Sequence, residues 1–151
     1  MNTKKLWMKF LMAGALLALL FTSGCGMWNA VDGPVDRALA EQGDAYMTSL
    51  KDGDFKATYE MMSSEAQRVL DYSIGITRGV VDLDSIIKDV GSQIVSWEFE
   101  RGRIFTQNGV TRGALEGRVE TVSGISGKVH LDFEQQGGAW KVKSSNWEVM
   151  K

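Results

Sequence analysis

The 151-residue sequence predicts an α+β domain in which helices precede a curved four-stranded antiparallel meander, and two observations lead to this prediction. From Pro34 onward, apolar side chains recur at the three- and four-residue spacing of amphipathic helices. From about Ile94 they instead alternate with polar residues, as in strands with one buried face. Three turn sequences divide this second half into four strands: Gln107-Asn108-Gly109, Ser123-Gly124 and Gln136-Gly137-Gly138.

The helical half is expected to begin with one long amphipathic helix. Apolar residues between Val35 and Leu50 lie on one face of such a helix. Pro34 suits its first turn, Asp32 is expected to cap it, and Gly53 is a natural stop. This helix is expected to cover the sheet.

Shorter helices are expected to follow. Asp54 reads as the cap of a helix over residues 55–62, and Ser64 with Gln67 forms a capping box for the next. Asp82 or Asp84 would cap a further helix. Between these helices, Gly75 and Gly79 are expected to interrupt any helix, so the sequence pattern predicts no definite secondary structure for residues 71–82.

The strand patterns assign an inner and an outer face to the sheet. In the last strand the apolar residues change from even to odd numbers, which requires a one-residue bulge, expected within residues 144–146. Gly113 and Gly117 share the apolar face, so they are expected to leave space there and to let the sheet curve around a cleft. The predicted inner residues are Trp97, Phe99, Leu115, Val119, Leu131, Phe133, Trp140 and Val142.

Residues 1–24 have the anatomy of an export signal. A basic start with Lys4, Lys5 and Lys9 is followed by an apolar block at residues 10–21 and by small polar residues. Twelve residues rise only about 18 Å as a helix, which is less than the roughly 30 Å hydrocarbon core of a bilayer. An uncleaved signal anchor is the alternative, because residues 10–31 carry no charge.

The only cysteine of the chain, Cys25, directly follows this segment. Its setting resembles the lipobox of bacterial lipoproteins, which Ser23 and Gly24 match and from which Thr22 departs. The resemblance implies cleavage between Gly24 and Cys25, and a lipid on the Cys25 thiol that anchors an exported protein to a bacterial cell membrane. Residues 25–33 would then be a tether and residues 34–151 the domain. A free surface thiol is the alternative.

Residues 34 to 150 also resemble the nuclear transport factor two-like, or cystatin-like, superfamily, and in particular its small bacterial lipoproteins. The residues that carry the resemblance are Gly53, Asp54, Met62, Ser63, Gly138, Trp140, Lys141 and Val142. It implies a cone formed by the long helix and the sheet. In different members this cone holds a small molecule, catalyses an isomerisation or hydrolysis, or supports dimerisation, so a homodimer is one option for this chain.

Three residues of the first strand are candidate ligand contacts: Trp97, Arg101 and Arg103. The arginines continue the odd-numbered face of Trp97 and would meet an anionic ligand at the mouth of the cleft. A bulge at Gly102 would instead turn them outward. No catalytic residue is predicted, because the predicted inner face carries no carboxylate.

Composition narrows the class of partner. Removal of residues 1–24 removes three lysines and changes the formal net charge from -2 to -5. This negative charge argues against nucleic acid as a partner. The single histidine, His130, is expected on the solvent side, and the lack of clustered ligands predicts no metal or other cofactor.

These observations predict a noncatalytic envelope protein that is anchored by lipid. It would bind a small apolar ligand or a protein partner through the helix–sheet cleft or the sheet face. One alternative is an envelope-assembly or immunity-type interaction protein. The other is an isomerase- or hydrolase-type enzyme, which requires Asp71, Asp82 or Asp84 to enter the cleft with a raised pKa.

Overall fold

The computed structural model describes residues 33–77 and 82–149. The predicted signal segment, the cleavage site, Cys25 and most of the tether therefore lie outside the described residues. In the described part, no helix combines the length and the apolar content that crossing a bilayer requires. Its helices are α1 (Arg37–Lys51), α2 (Phe55–Glu60), α3 (Ser64–Thr77) and α4 (Leu83–Gly91), and its strands are β1 (Ile94–Gln107), β2 (Val110–Thr121), β3 (Ser126–Gln136) and β4 (Ala139–Val149).

The four strands form one antiparallel sheet in the order β1-β2-β3-β4, with all the helices placed before them in the chain. This confirms the predicted α+β class and the four-stranded meander. Helix α1 covers one face of the sheet, which we call the inner face; the opposite face is the outer face. The buried apolar core joins the two layers: Leu39, Tyr46, Met47 and Leu50 from α1, with Leu115, Val119, Val129, Leu131, Phe133 and Val142 from the sheet.

Helix α1 begins later than the sequence predicts. Its cap is Asp36, whose side chain accepts a hydrogen bond from the Leu39 amide at 3.0 Å, so the expectation that Asp32 caps the helix is wrong. The cause is a bridge between Gly33 and Gly102 of β1, where the Gly102 amide donates to the Gly33 carbonyl at 3.0 Å. This contact holds the chain extended just before the helix. The predicted caps of α2 and α4 are confirmed at Asp54 and at Asp82.

Helix α3 differs from its prediction at both ends. The Ser63 hydroxyl accepts from the Ala66 backbone amide at 3.2 Å, whereas the Gln67 side-chain amide donates to the Tyr59 carbonyl at 2.8 Å, so the capping box at Ser64 and Gln67 is wrong. The helix also continues through Gly75 to Thr77. A β-carbon at Gly75 would meet nothing within 4 Å, so glycine there costs only about 1 kcal/mol of helix propensity and does not end the helix.

Bulges shift the strands relative to one another at three places. In β4 the register places Val142 opposite Phe133 and Ser144 opposite Asp132, which leaves Lys143 as the extra residue. The predicted bulge is therefore confirmed, one residue earlier than expected. Strand β1 has two register shifts against β2, one at Val95 and one at Glu100.

The space expected at Gly113 and Gly117 is occupied, so that expectation is wrong. A β-carbon at Gly113 would lie 2.8 Å from both methyl groups of Leu39 on α1. At Gly117 it would lie 2.0 Å from the Glu98 carbonyl oxygen of the bulged β1 strand. On the helix side, a β-carbon at Gly43 would lie 2.6 Å from a Leu115 methyl group. These glycines let α1 and β1 approach the sheet closely.

Candidate functional site

A small polar cluster lies inside the cone, between α1 and the inner face. Tyr46 is 2% exposed and is hydrogen-bonded to Ser145, which also accepts from the Trp147 indole nitrogen at 2.9 Å. Burial raises the pKa of Tyr46 to about 12, and the Ser145 hydrogen bond offsets part of that rise. The phenol therefore stays neutral at physiological pH and acts only as a hydrogen-bonding group.

Trp97 lies at the seam between β1 and α1. Its indole nitrogen donates to the Asp44 carboxylate of α1 at 2.8 Å, and its ring packs against the core while staying half-buried. Phe99, Trp140 and Trp147 are half-buried in the same way. Trp97 is thus on the inner side of its strand, as predicted, with part of an aromatic surface open to a ligand.

Arg101 and Arg103 do not point toward the cleft. The bulge at Glu100 changes the parity of β1, so that Gly102 takes the buried inner position and both arginines become exposed. Of the two alternatives, the structure has the outward one, and the bulge lies at Glu100 rather than at Gly102. The Arg103 guanidinium lies 5.2 Å from the centre of the Phe105 ring. The arginines are therefore available to a surface partner, not to a ligand in the cone.

The three candidate carboxylates lie outside the cone. Asp71 is exposed, and the Tyr59 hydroxyl donates one hydrogen bond that its two carboxylate oxygens share, at 3.0 and 2.9 Å. The hydrogen bond from the Ser85 hydroxyl lowers the pKa of Asp82, and Asp84 forms an ion pair with Lys88. The polar residues that are buried in the described part are Ser49, Thr58, Ser63 and Ser145. The same part of the chain contains no cluster of three metal-ligating side chains.

A second polar cluster, which the sequence did not reveal, lies on the outer face. Asp132 is placed between His130, whose Nε2 is 3.1 Å from one carboxylate oxygen, and Ser144, whose hydroxyl donates to the other at 2.6 Å. Because the carboxylate separates the hydroxyl from the imidazole, this order cannot activate Ser144 as the nucleophile of a triad. His130 and Asp132 lie two residues apart on one strand, which in the sequence is only a weak signal for a polar cluster. Their pairing with Ser144 depends on the β4 bulge.

The His130–Asp132 pair predicts a stability maximum at mildly acidic pH. Burial alone would lower the pKa of His130, but Asp132 and Glu116 together raise it above 6.5. Burial alone would likewise raise the pKa of Asp132, but hydrogen bonds from His130 and Ser144 and the charges of His130 and Lys143 lower it below 3.8. The stabilisation from His130 is complete below pH 6.5 and is lost as pH rises through the raised pKa. That from Asp132 is present above pH 3.8 and is lost as pH falls.

Urea denaturation across a pH series tests this expectation. The free energy of unfolding should fall between about pH 6 and about pH 8. Histidine is the side chain whose ordinary pKa falls inside this range, and His130 is the only histidine of the chain. His130→Gln should flatten the fall. A decline of the same size in that variant would contradict the assignment to this pair.

Comparison with known proteins adds little beyond the fold. No protein-family profile and no curated protein matches the chain. Among solved structures, a five-substitution variant of a designed nuclear transport factor two-like protein, Rd1NTF2_05, is similar over 72% of this chain and 95% of its own, at 10% identity and a TM-score of 0.48. Bd1075 of Bdellovibrio bacteriovorus is similar over 75% of this chain and 40% of its own, at 8% identity and a TM-score of 0.43. The fold assignment therefore rests on the element order and the sheet topology.

Proposed function

We propose that this chain is a noncatalytic envelope protein, anchored to a bacterial membrane by lipid on Cys25, whose cone binds an apolar ligand at the α1–β1 seam. The placement of the charged side chains is the observation that carries this proposal. The three carboxylates that an isomerase- or hydrolase-type mechanism would need lie outside the cone and already have local partners. What the cone offers instead is apolar side chains, neutral hydroxyls and the half-buried ring of Trp97.

The seam suits an uncharged apolar ligand. The Asp44 carboxylate fixes the Trp97 indole through a hydrogen bond at 2.8 Å, so the ring is held in place before any ligand arrives. A fixed ring loses little conformational entropy on binding, which favours affinity. Tyr46 and Ser145 are hydrogen-bonded to each other, so their side chains do not need a polar group of the ligand as a partner.

Binding of the neutral dye Nile red tests the cone. Trp97→Ala should weaken binding about tenfold, because about 1.4 kcal/mol of aromatic contact is lost. Tyr72→Ala is the matched control, since Tyr72 is an aromatic residue that is 71% exposed on α3. Equal affinity in the two variants, or no binding to the wild type, would refute a ligand site at the seam.

Flotation of membranes from a bacterial host that expresses the full chain tests the anchor. The wild type should float with the membranes. Cys25→Ser should abolish the mature, lipid-modified form, as should globomycin, which blocks lipoprotein signal cleavage. Formation of the same modified product without the thiol would exclude Cys25 as the attachment site.

A further inference from the structure

The hairpin of β1 and β2 has an unusual charge distribution. From Arg101 to Leu115, fifteen consecutive residues include three arginines and no acidic residue. We call this segment the arginine hairpin. Arg101 and Arg103 are exposed, and among the described residues neither these two nor Arg112 forms an ion pair. The acid just before the segment, Glu100, is paired with Arg118 instead.

Apolar side chains accompany these cations. Ile104 directly follows Arg103 in β1 and is itself 44% exposed. The Phe105 ring lies beneath the Arg103 guanidinium and is half-buried. Cations around a partly exposed apolar surface are typical of proteins that rest on an anionic bilayer, where each basic side chain near the surface adds about 1 kcal/mol.

The chain enters the domain beside this hairpin. Gly33, the first residue that the structure describes, forms an antiparallel bridge with Gly102 and therefore lies beside β1. Gly33 is the eighth residue after Cys25, so the chain between them spans at most roughly 28 Å. From Gly102 the turn is five residues away, about 17 Å along the strand. A lipid on Cys25 would therefore keep the hairpin within reach of the membrane surface.

We propose that the arginine hairpin docks on the anionic phospholipid surface of the membrane that holds the anchor. This inference rests on the proposed lipid attachment at Cys25. Docking would orient the domain with its β1–β2 turn toward the bilayer and its β2–β3 turn, at the opposite end of the sheet, away from it. The seam at Trp97 would then lie at a fixed height above the membrane.

A fluorophore on single introduced cysteines tests the orientation. Because lipid consumes the only native thiol, Thr106→Cys in the hairpin and Ser123→Cys in the β2–β3 turn each carry one reactive thiol, and both sites are exposed. The lipidated full chain, labelled with the dye NBD, is placed in vesicles of phosphatidylglycerol and phosphatidylethanolamine, or of phosphatidylcholine alone. The expected result is a blue shift and quenching by spin-labelled lipid at Thr106→Cys only, in the anionic vesicles only.

Two further arms separate the possible failures. R101E/R103E in the Thr106→Cys background should lose the quenching while the protein still floats with the vesicles, and high salt should have the same effect. If the protein is not lipidated at Cys25, the proposed anchor fails. If it floats normally but the two labelled sites are equally water-exposed, or quenching survives R101E/R103E, the hairpin proposal alone is overturned. An unquenched Thr106 site would favour a protein partner for the hairpin.

Discussion

Phe133→Ala is expected to lower the free energy of unfolding by about 3–5 kcal/mol. Phe133 is 1% exposed and lies at the centre of the inner face of β3. Its cross-strand partner on β2 is Gly113, which has no side chain that could move into the space left behind. Leu39 of α1 already occupies the volume above that glycine. The cavity therefore stays open, which places the loss at the upper end for a large-to-small change.

Urea denaturation of the chain expressed without residues 1–24 measures this loss. Phe105→Ala is the matched control, because Phe105 is half-buried on the outer face and contacts the Arg103 guanidinium. Its loss should stay within about 1 kcal/mol, the size of an exposed cation–π contact. Similar losses in the two variants would contradict the assignment of the inner face as the core.

The strands could be predicted from the sequence because a strand with one buried face has apolar and polar residues in alternation. This alternation is visible in the sequence alone. It also predicted that β4 contains a bulge, since apolar residues on both sides of the slip had to face the same core. The bulge at Glu100 left no such trace. The next three residues are Arg101, Gly102 and Arg103, and the apolar Ile104 and Phe105 after them take opposite faces, so the sequence pattern does not record the change of face. That is why the two arginines were expected in the cleft.

The missed helix caps have a different cause. A capping residue is identified by spacing alone only when nothing outside the helix competes for the backbone. Gly33 bonds to β1, and the Ser63 amide bonds to the Val142 carbonyl of β4 at 2.8 Å. Both contacts are tertiary, and they set where α1 and α3 begin. The cluster of His130, Asp132 and Ser144 was missed for the same reason, because it spans two strands whose register follows the bulge.

Gly117→Ala is expected to lower the free energy of unfolding by about 3 kcal/mol, although alanine has the higher intrinsic propensity for regular structure. The added methyl carbon would lie 2.0 Å from the Glu98 carbonyl oxygen and 2.8 Å from the Phe99 α-carbon. Both are backbone atoms of β1, so no rotamer change can relieve the overlap. The strand would have to move away from β2 at the Glu100 bulge.

Two other glycine-to-alanine changes provide the controls for this prediction. Gly75→Ala adds a methyl group to open space on α3 and should raise stability by about 1 kcal/mol. Gly127→Ala places its methyl carbon 3.0 Å from the Glu148 carbonyl oxygen. Its change in the free energy of unfolding should therefore lie between those of Gly117→Ala and Gly75→Ala. If Gly117→Ala were as stable as Gly75→Ala, β1 could not pass that close to Gly117. The bulge that turns Arg101 and Arg103 outward would then lose its basis, and with it the arginine hairpin as a membrane-facing surface.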